Sequence, residues 1–427
     1  MLIEIHMIQN HSPSNLNRDD LGAPKTCLFG GVTRARISSQ CLKRSIRRSP
    51  EFHTVLEREG GVRTRRLITV LAERVHGDSH PPEKLIEFIA KAFEKGGVGR
   101  TGKGEEPNNT NILLFLPQSA IAGMADAVAA ERAKRKPNPR ALAEALADIL
   151  GASASAPDIA LSGRMTEVET AGLFARLELG VEASLSVAHA ISTHAVTNEV
   201  DYFTAVDDEG RGTGAGHVDE AMFNSACFYK YFSLDWDGLV RNLAGREPDP
   251  QEDAAAHAKW KHELKPQAER LAAATLGHFL RAAALTTPTG KQNSFAAHNP
   301  PDGILVEVKR NSKTPVSYAN AFADPVDPES LRGLVGQSVA QLGQYVHDIA
   351  DGYDIEAERF WFSPSARHPL TWVERDTKAP EAEKPTVTPE EHNLKSLDTL
   401  VEVVVKAATG KPWSEVKDAG KASPEEA

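Results

Sequence analysis

The sequence predicts an α+β fold, and three observations carry the prediction. A strand-like opening, LIEIHMIQ at residues 2–9, is followed by a helix-forming run at residues 39–48. Residues 51–150 then repeat helical spacing in EFHTVLERE, RRLITVLAERV, PEKLIEFIAKAFEK and PRALAEALADIL. From residue 181, β-branched alternation returns in VEASLSVAHAISTHAVTNEVDYFTAV, with later strands at FNSACFYKYFSLDW and ILVEVKR. A chain of 427 residues has room for a large core and two or three lobes.

Composition removes several functional classes. The apolar runs are far shorter than a membrane span, and MLIEIHMIQN lacks the charged n-region and long apolar core of a signal peptide. A cytoplasmic protein without a membrane partner is expected. Cys27, Cys41 and Cys227 are odd in number and widely spaced, forming neither a CxxC pair nor a disulfide framework. No metal or cofactor is expected. A formal net charge of -10 argues against indiscriminate binding to nucleic acid, because nonspecific affinity follows the number of phosphates neutralised. It leaves room for a local basic groove.

In chain order, the first strand ends at Ser12-Pro13-Ser14-Asn15, and residues 15–31 read as a loop in which Gly30-Gly31 permits backbone geometry closed to other residues. That pair serves either as a plain turn or as a place where backbone amides approach a phosphate. Ser38 and Ser39 are good N-cap residues, and the run to Arg48 has neither Pro nor Gly, so a helix is predicted from about Ser39 to Arg48.

This region concentrates positive charge. Arg18, Lys25, Arg34, Arg36, Lys43, Arg44, Arg47 and Arg48 stand against Glu4, Asp19 and Asp20, so an acidic chain opens with a block of net +5. At 100° per residue Leu42 and Ile46 share one helix face, while Gln40, Lys43, Arg44, Arg47 and Arg48 fan across the other. Lys43 and Arg47 are about 6 Å apart along the axis, comparable with the phosphate step of an extended single strand. One face packs and the other can grip, although a solvated charged face has the same pattern.

The helical stretch after residue 51 looks like an insertion. Within it, GVGRTGKG at residues 97–104 has phosphate-loop spacing, but Gly104 stands where Ser or Thr would hold magnesium and a helix precedes it instead of a strand. A surface loop is the better reading. In DIALSGRM, residues 158–165, Arg164 can meet a phosphate, and Met165 either packs in a core or offers a flexible apolar side chain to a base. His189 and His194, five apart, would fall on opposite faces of a strand and suit structural roles. Tyr202 and Phe203 sit among Asp201, Asp207 and Asp208, an odd setting for core aromatics. Base stacking, about 1–3 kcal/mol per ring, or packing at a hairpin base are the alternatives.

Residues 210–216 read as a loop, residues 266–284 as a helix, and TTPTGKQNSFAAHNPP as a turn carrying Lys291, Gln292, Asn293, Ser294, His298 and Asn299. SLRGLVGQSVAQLGQYVHDIA reads as a helix. Residues 375–392, charged and Pro-rich, are expected to form a loop or linker. A short helix at LDTLVEVVVKAAT and a disordered end, KDAGKASPEEA, complete the chain.

Several of these stretches, HSPSNLNRDD, FGGVTRARISSQCLKR, DIALSGRM, AHAISTH, DYFTAVDD and KQNSFAAHNP, occur in an order that resembles the CasC-type backbone subunit of type I-E Cascade, a CRISPR interference complex. The resemblance covers about 300 residues and leaves the tail beyond about Glu374 unmatched. It implies an RRM-like, ferredoxin-type palm in residues 1–58 and 226–374, helical fingers in 59–180, a β-hairpin thumb with flanking strands in 181–225, and a tail in 375–427. It further implies that Arg18, Lys25, Ser39, Gln40, Lys43, Arg44, Arg47, Arg164 and Lys291 hold CRISPR RNA, while Met165, Tyr202 and Phe203 wedge against or stack on its bases. The segment around Lys291 lies at the guide or at a joint between copies. The implied partners are CRISPR RNA, target DNA through guide pairing, further copies of the chain and other Cascade subunits. The rival reading is an enzyme: related type III subunits cleave RNA with an aspartate in the first loop, where Asp19 and Asp20 lie. The NRDD sequence itself matches the type I-E pattern, which implies no catalytic residue.

Overall fold

The computed structural model describes residues 1–56, 60–101, 106–152, 156–164, 172–176, 180–205, 217–245, 247–375, 383–387 and 393–419. The chain divides into two compact units. The first comprises Met1–Phe52, Ser186–Asp235 and Leu276–Glu415; the second comprises His53–Leu185, Trp236–Thr275 and Val416–Ala427.

The first unit is built on a mixed sheet, ten-stranded among the described residues. At its centre β1, Leu2–Ser14, pairs antiparallel with Gly303–Lys309 on one side and with the long strand His217–Asp235 on the other. Beyond Gly303–Lys309 come Glu358–Phe362 and, in parallel, Asn393–Leu394. Beyond His217–Asp235 come Ala190–Ser192, then β3 (Val32–Ile37), with β2 (Thr26–Phe29) at the edge. The sequence reading ends β1 at Ser12; the strand instead continues to Ser14, with a register irregularity between His11 and Ser14 that accommodates Pro13.

Residues 2–9 are buried throughout, so both sheet faces are covered. Ile3, Ile5 and Met7 line one face. Glu4, His6 and Ile8 line the other, and that face is polar in its interior. Glu4 bonds the Lys309 ammonium and the Tyr231 hydroxyl and accepts from Val316 N at 2.8 Å. Glu307 accepts from the Tyr318 hydroxyl at 2.8 Å and from Arg359 Nε at 2.6 Å, while His6 Nδ1 and the Tyr229 hydroxyl lie 2.9 Å apart. Burial alone would raise the Glu307 carboxyl, but the hydrogen bond and charge of His6 with the Arg359 and Lys309 charges hold it down at about 2. Helix Gly333–Gly352 closes this layer with Val339, Leu342 and Val346.

Two expected loops contain strands. Residues 15–31 include β2, which forms a two-residue hairpin with β3 through Gly30 (φ 59°) and Gly31 (φ 76°). Positive φ at both central positions gives the turn whose twist matches the strands it joins. Residues 375–392 include Glu383–Val387, paired antiparallel with Thr371–Arg375. Proline at 385 is tolerated because the ribbon has only two strands. The predicted helices appear at Lys265–Leu285, Gly333–Gly352 and Leu397–Thr409. Ser396 caps the last, which buries Leu400, Val401, Val404 and Val405. Most of the C-terminal end expected to be disordered, residues 420–427, lies outside the described residues.

The second unit contains the helical stretch, with helices Leu67–His76, Glu83–Gly96, Gln118–Arg132 and Pro139–Ala152 around a core that includes Leu71, Ile89, Phe93, Met124 and Leu142. The Gln118–Arg132 helix is absent from the sequence reading; its run of alanines weakens the apolar stripe. Gly97, first glycine of the phosphate-loop lookalike, is the left-handed cap of Glu83–Gly96, and Arg100 bonds Glu87 and Glu94. No helix among the described residues is long and apolar enough to cross a membrane.

Candidate nucleic-acid interface

The site begins with α1, Ser39–Arg47, one residue shorter than expected. Ser38 caps it, its hydroxyl accepting from Cys41 N at 3.3 Å, and the Asn17 side chain accepts from Ser38 N at 2.9 Å. The first loop is thereby tied to the helix N-terminus. Leu42 and Ile46, 3% and 6% exposed, form the buried face of the helix, and Leu42 packs against the sheet in a cluster with Ile37, Ala226 and Phe228. Gln40 and Arg44 are exposed, and Ser39, Lys43 and Arg47 half-buried, so the polar residues fan away from the anchored face as the spacing predicts.

The loop is compact and bonded to itself. Lys25 N donates to Asn17 O at 2.8 Å, Arg18 bridges Pro24, and Asp19 Oδ1 accepts from Leu21 N and Ala23 N, both at 2.9 Å. Asp19 thus has a structural role, through backbone amides of its own loop. Asp20 is exposed. Burial raises the Cys41 thiol, while Arg44 from the helix, Lys25 from the loop and Lys230 from the strand beneath all oppose that rise. Loop and helix therefore direct positive charge at one region.

Lys291 joins the same neighbourhood. It adopts φ 45° just after Gly290, where a Cβ would lie 2.5 Å from Leu16 O and 2.6 Å from Asn15 O. Eight residues later Asn299 accepts from Ser12 N and Ser12 Oγ, both at 3.2 Å, and its carbonyl accepts from Gln9. The turn carrying Lys291 is thus seated on the end of β1 and the start of the first loop.

Other expected residues belong to other elements. Arg164, in the second unit, donates to Phe115 O at 3.1 Å, and burial lowers its pKa from the ordinary guanidinium value. Met165 lies outside the described residues. Tyr202 and Phe203 belong to the hairpin Glu199–Ala205 with His217–Asp235, opposite Glu220 and Asp219 respectively. They are 69% and 46% exposed and, as adjacent strand residues, point to opposite faces. Packing of both rings at the hairpin base is therefore excluded. His189 is exposed with Nδ1 2.9 Å from Arg36, whereas His194 is buried with Nδ1 unbonded, so only the first is satisfied. Burial and the Arg34 charge lower His194 to about 4.

One residue of the basic block is not part of a surface at all. Arg34 is fully buried, donating to Phe29 O, Ser192 O and Phe322 O at 3.1, 3.2 and 2.8 Å. Lys230 was missed in the opposite sense: an unremarkable strand residue by sequence, it is a buried cation near α1. Its setting between Phe228 and Phe232, two residues away on either side, is the signal that marks an inward-facing lysine.

Comparison with known proteins bears on this geometry. Residues 3–385 match the family described as CT1975-like protein, a Cas family. A solved chain described as part of a "CRISPR RNA-guided surveillance complex, pre-nicking" superposes with a TM-score of 0.74 at 29% identity, covering 96% of this chain and 100% of its own. Another, from a "CRISPR RNA-guided surveillance complex", gives a TM-score of 0.61 at 24% identity over 95% and 100% of the two chains, a likeness of fold. No curated protein sequence matches.

Proposed function

The chain belongs to the CT1975-like family of Cas proteins, and from that premise we propose that it is the CRISPR RNA-binding backbone subunit of a type I-E Cascade complex. The supporting observation is the cationic surface of α1, flanked by Lys25 and by the turn carrying Lys291, in a chain of net charge -10. Such a surface suits a phosphate backbone without reading sequence, and guide pairing with target DNA supplies the specificity. In this reading the first unit contains the RRM-like palm and the hairpin is the thumb. Residues 59–180 are the fingers, and residues 375–427 are a tail.

Arg18, Lys25, Ser39, Gln40, Lys43, Arg44 and Arg47 hold the RNA, with Lys291 at the guide or at a joint between copies. Arg164 and Met165 enter the proposal through the family resemblance, and Phe203 with Tyr202 displaces bases of the guide. Copies add head to tail along one RNA. A heterologous contact of this kind makes an open filament, so other subunits cap it and RNA length sets the copy number. The subunit acts in the cytoplasm and cuts no nucleic acid itself; Asp19 organises its loop.

Co-expression with the neighbouring genes of its genome and purification of the assembly tests this. A multisubunit particle holding several copies of the chain and RNA of discrete length is the expected outcome. A free monomer without RNA contradicts it. Magnesium-dependent cleavage of a complementary strand, abolished by Asp20→Ala, would establish the enzymatic reading instead.

A further inference from the structure

Beneath α1 the sheet carries a lysine that lacks a counter-charge among the described residues. Lys230 is 1% exposed and lies opposite Met7 of β1, on the same face as Phe228 and Phe232. Phe228 also belongs to the cluster that receives Leu42 of α1. The groups acting electrostatically on this neighbourhood are His11 from β1, Cys41 and Arg44 from α1, and Lys25 from the first loop. None is a carboxylate. Burial and the Lys230 charge keep His11 neutral, with a pKa of about 3, and burial keeps the Cys41 thiol above its usual value. Lys25, Arg44 and Lys230 therefore bring three positive charges from three elements to the foot of one helix.

An unpaired buried ammonium is costly to folding, and proteins commonly compensate such a charge with a partner or a ligand. One further atom points the same way. Gln9 Oε1 has no hydrogen-bond partner among the described residues, and Gln9, like the fully buried His11, extends the Lys230 face along β1. A narrow crevice with Lys25, Arg36, Asn224 and Phe228 among its polar and apolar lining residues lies between the end of β1 and the first loop.

The geometry points to a phosphate site in which one phosphodiester of bound RNA is held at the lip by Lys25 and Arg44 and is given its third positive charge from below by Lys230. The inference rests on the RNA-binding reading and adds to it an interior residue. Burial lowers Lys230 to about 8, an effect that Cys41 partly offsets. A phosphate overhead would raise that value again, so binding takes up a proton at alkaline pH. Affinity is then level below about pH 8 and falls as pH rises through it, by up to about tenfold per unit for one linked proton.

The test compares wild type, Lys230→Met and Lys230→Arg, as full chains, in binding a short single-stranded RNA across salt concentration and across pH 6.5–9.5. For Lys230→Met the expected results are binding weaker by up to about fivefold at 0.1 M salt and a salt slope smaller by at most about 0.7, the value of a whole phosphate contact on a single strand, because Lys25 and Arg44 still hold the same phosphodiester. The alkaline fall disappears, and the RNA-free protein melts no lower than wild type. Lys230→Arg keeps the affinity but loses the fall, since guanidinium does not titrate there. Unchanged affinity and salt slope in Lys230→Met, or an alkaline fall that persists in Lys230→Arg, overturns the inference while leaving the RNA-binding reading intact. Failure of wild type to bind the RNA overturns both.

Discussion

Reversing Lys43 and Arg47 to Glu isolates the grip from the fold. A phosphate contact on a single strand changes affinity as salt to the power of about -0.7, which at 0.1 M is about fivefold per contact. Neutralising two contacts therefore costs about 25-fold. Reversal adds repulsion of about 0.7 kcal/mol per charge at 6 Å in water, a further factor of roughly ten for the pair. The sum is a loss of about 250-fold, with the salt slope reduced by about 1.4. Folding is affected far less, because Leu42 and Ile46 stay buried and Leu42 still packs on the sheet. The new acids lie toward the helix C-terminus, where each costs about 0.3–1 kcal/mol against the helix dipole. RNA recovery from the purified double variant, filter binding across salt, and a melting curve separate the terms. An intact fold with unchanged RNA recovery would refute the reasoning.

Three other outcomes follow from the structure. A Cβ on Gly30 would fall 1.7 Å from Ala323 O, so Gly30→Ala should lower the melting temperature sharply; Gly31→Ala meets open space and should cost only about 1 kcal/mol for its positive φ, as calorimetry will report. Stability should fall in acid. His11 and His194, held neutral with pKa values of about 3 and 4, contribute stability above the unfolded value near 6.5 that is lost as pH drops toward those values. Glu307, held near 2, adds a contribution lost between the ordinary glutamate value and about 2, so urea midpoints should decline from pH 6.5 downward, and less steeply in His194→Gln. Met165→Ala with Phe203→Ala should weaken target pairing more than guide capture; equal loss of both in gel-shift titrations would argue against a base-displacing role.

The sequence made α1 legible because independent signals coincided: a serine cap, an uninterrupted helix-forming run and an apolar pair four residues apart. It made the Gly30-Gly31 turn legible but not β2, because TCLF is four residues long at a sheet edge with half its side chains exposed, and carries little of the apolar signal that marks a buried strand. Charge counting grouped Arg34 with Lys43 although one is sealed against four carbonyls and the other lies on a helix flank, since burial is set by partners distant in sequence. The seat of Lys291 was beyond local reading for the same reason: the close approach of the preceding Gly290 to Asn15 and Leu16 spans most of the chain. Pro385 lowered the strand signal where a two-stranded ribbon tolerates it.

The central claim is that RNA lies along α1 between the first loop and the turn bearing Lys291. Ultraviolet crosslinking of the purified particle, followed by mass spectrometry of the RNA-bearing peptides, tests it most directly. The account predicts crosslinks concentrated in peptides spanning residues 18–25, 39–47 and 290–299. Crosslinks confined to other surfaces, with these three peptides recovered unmodified, would contradict it.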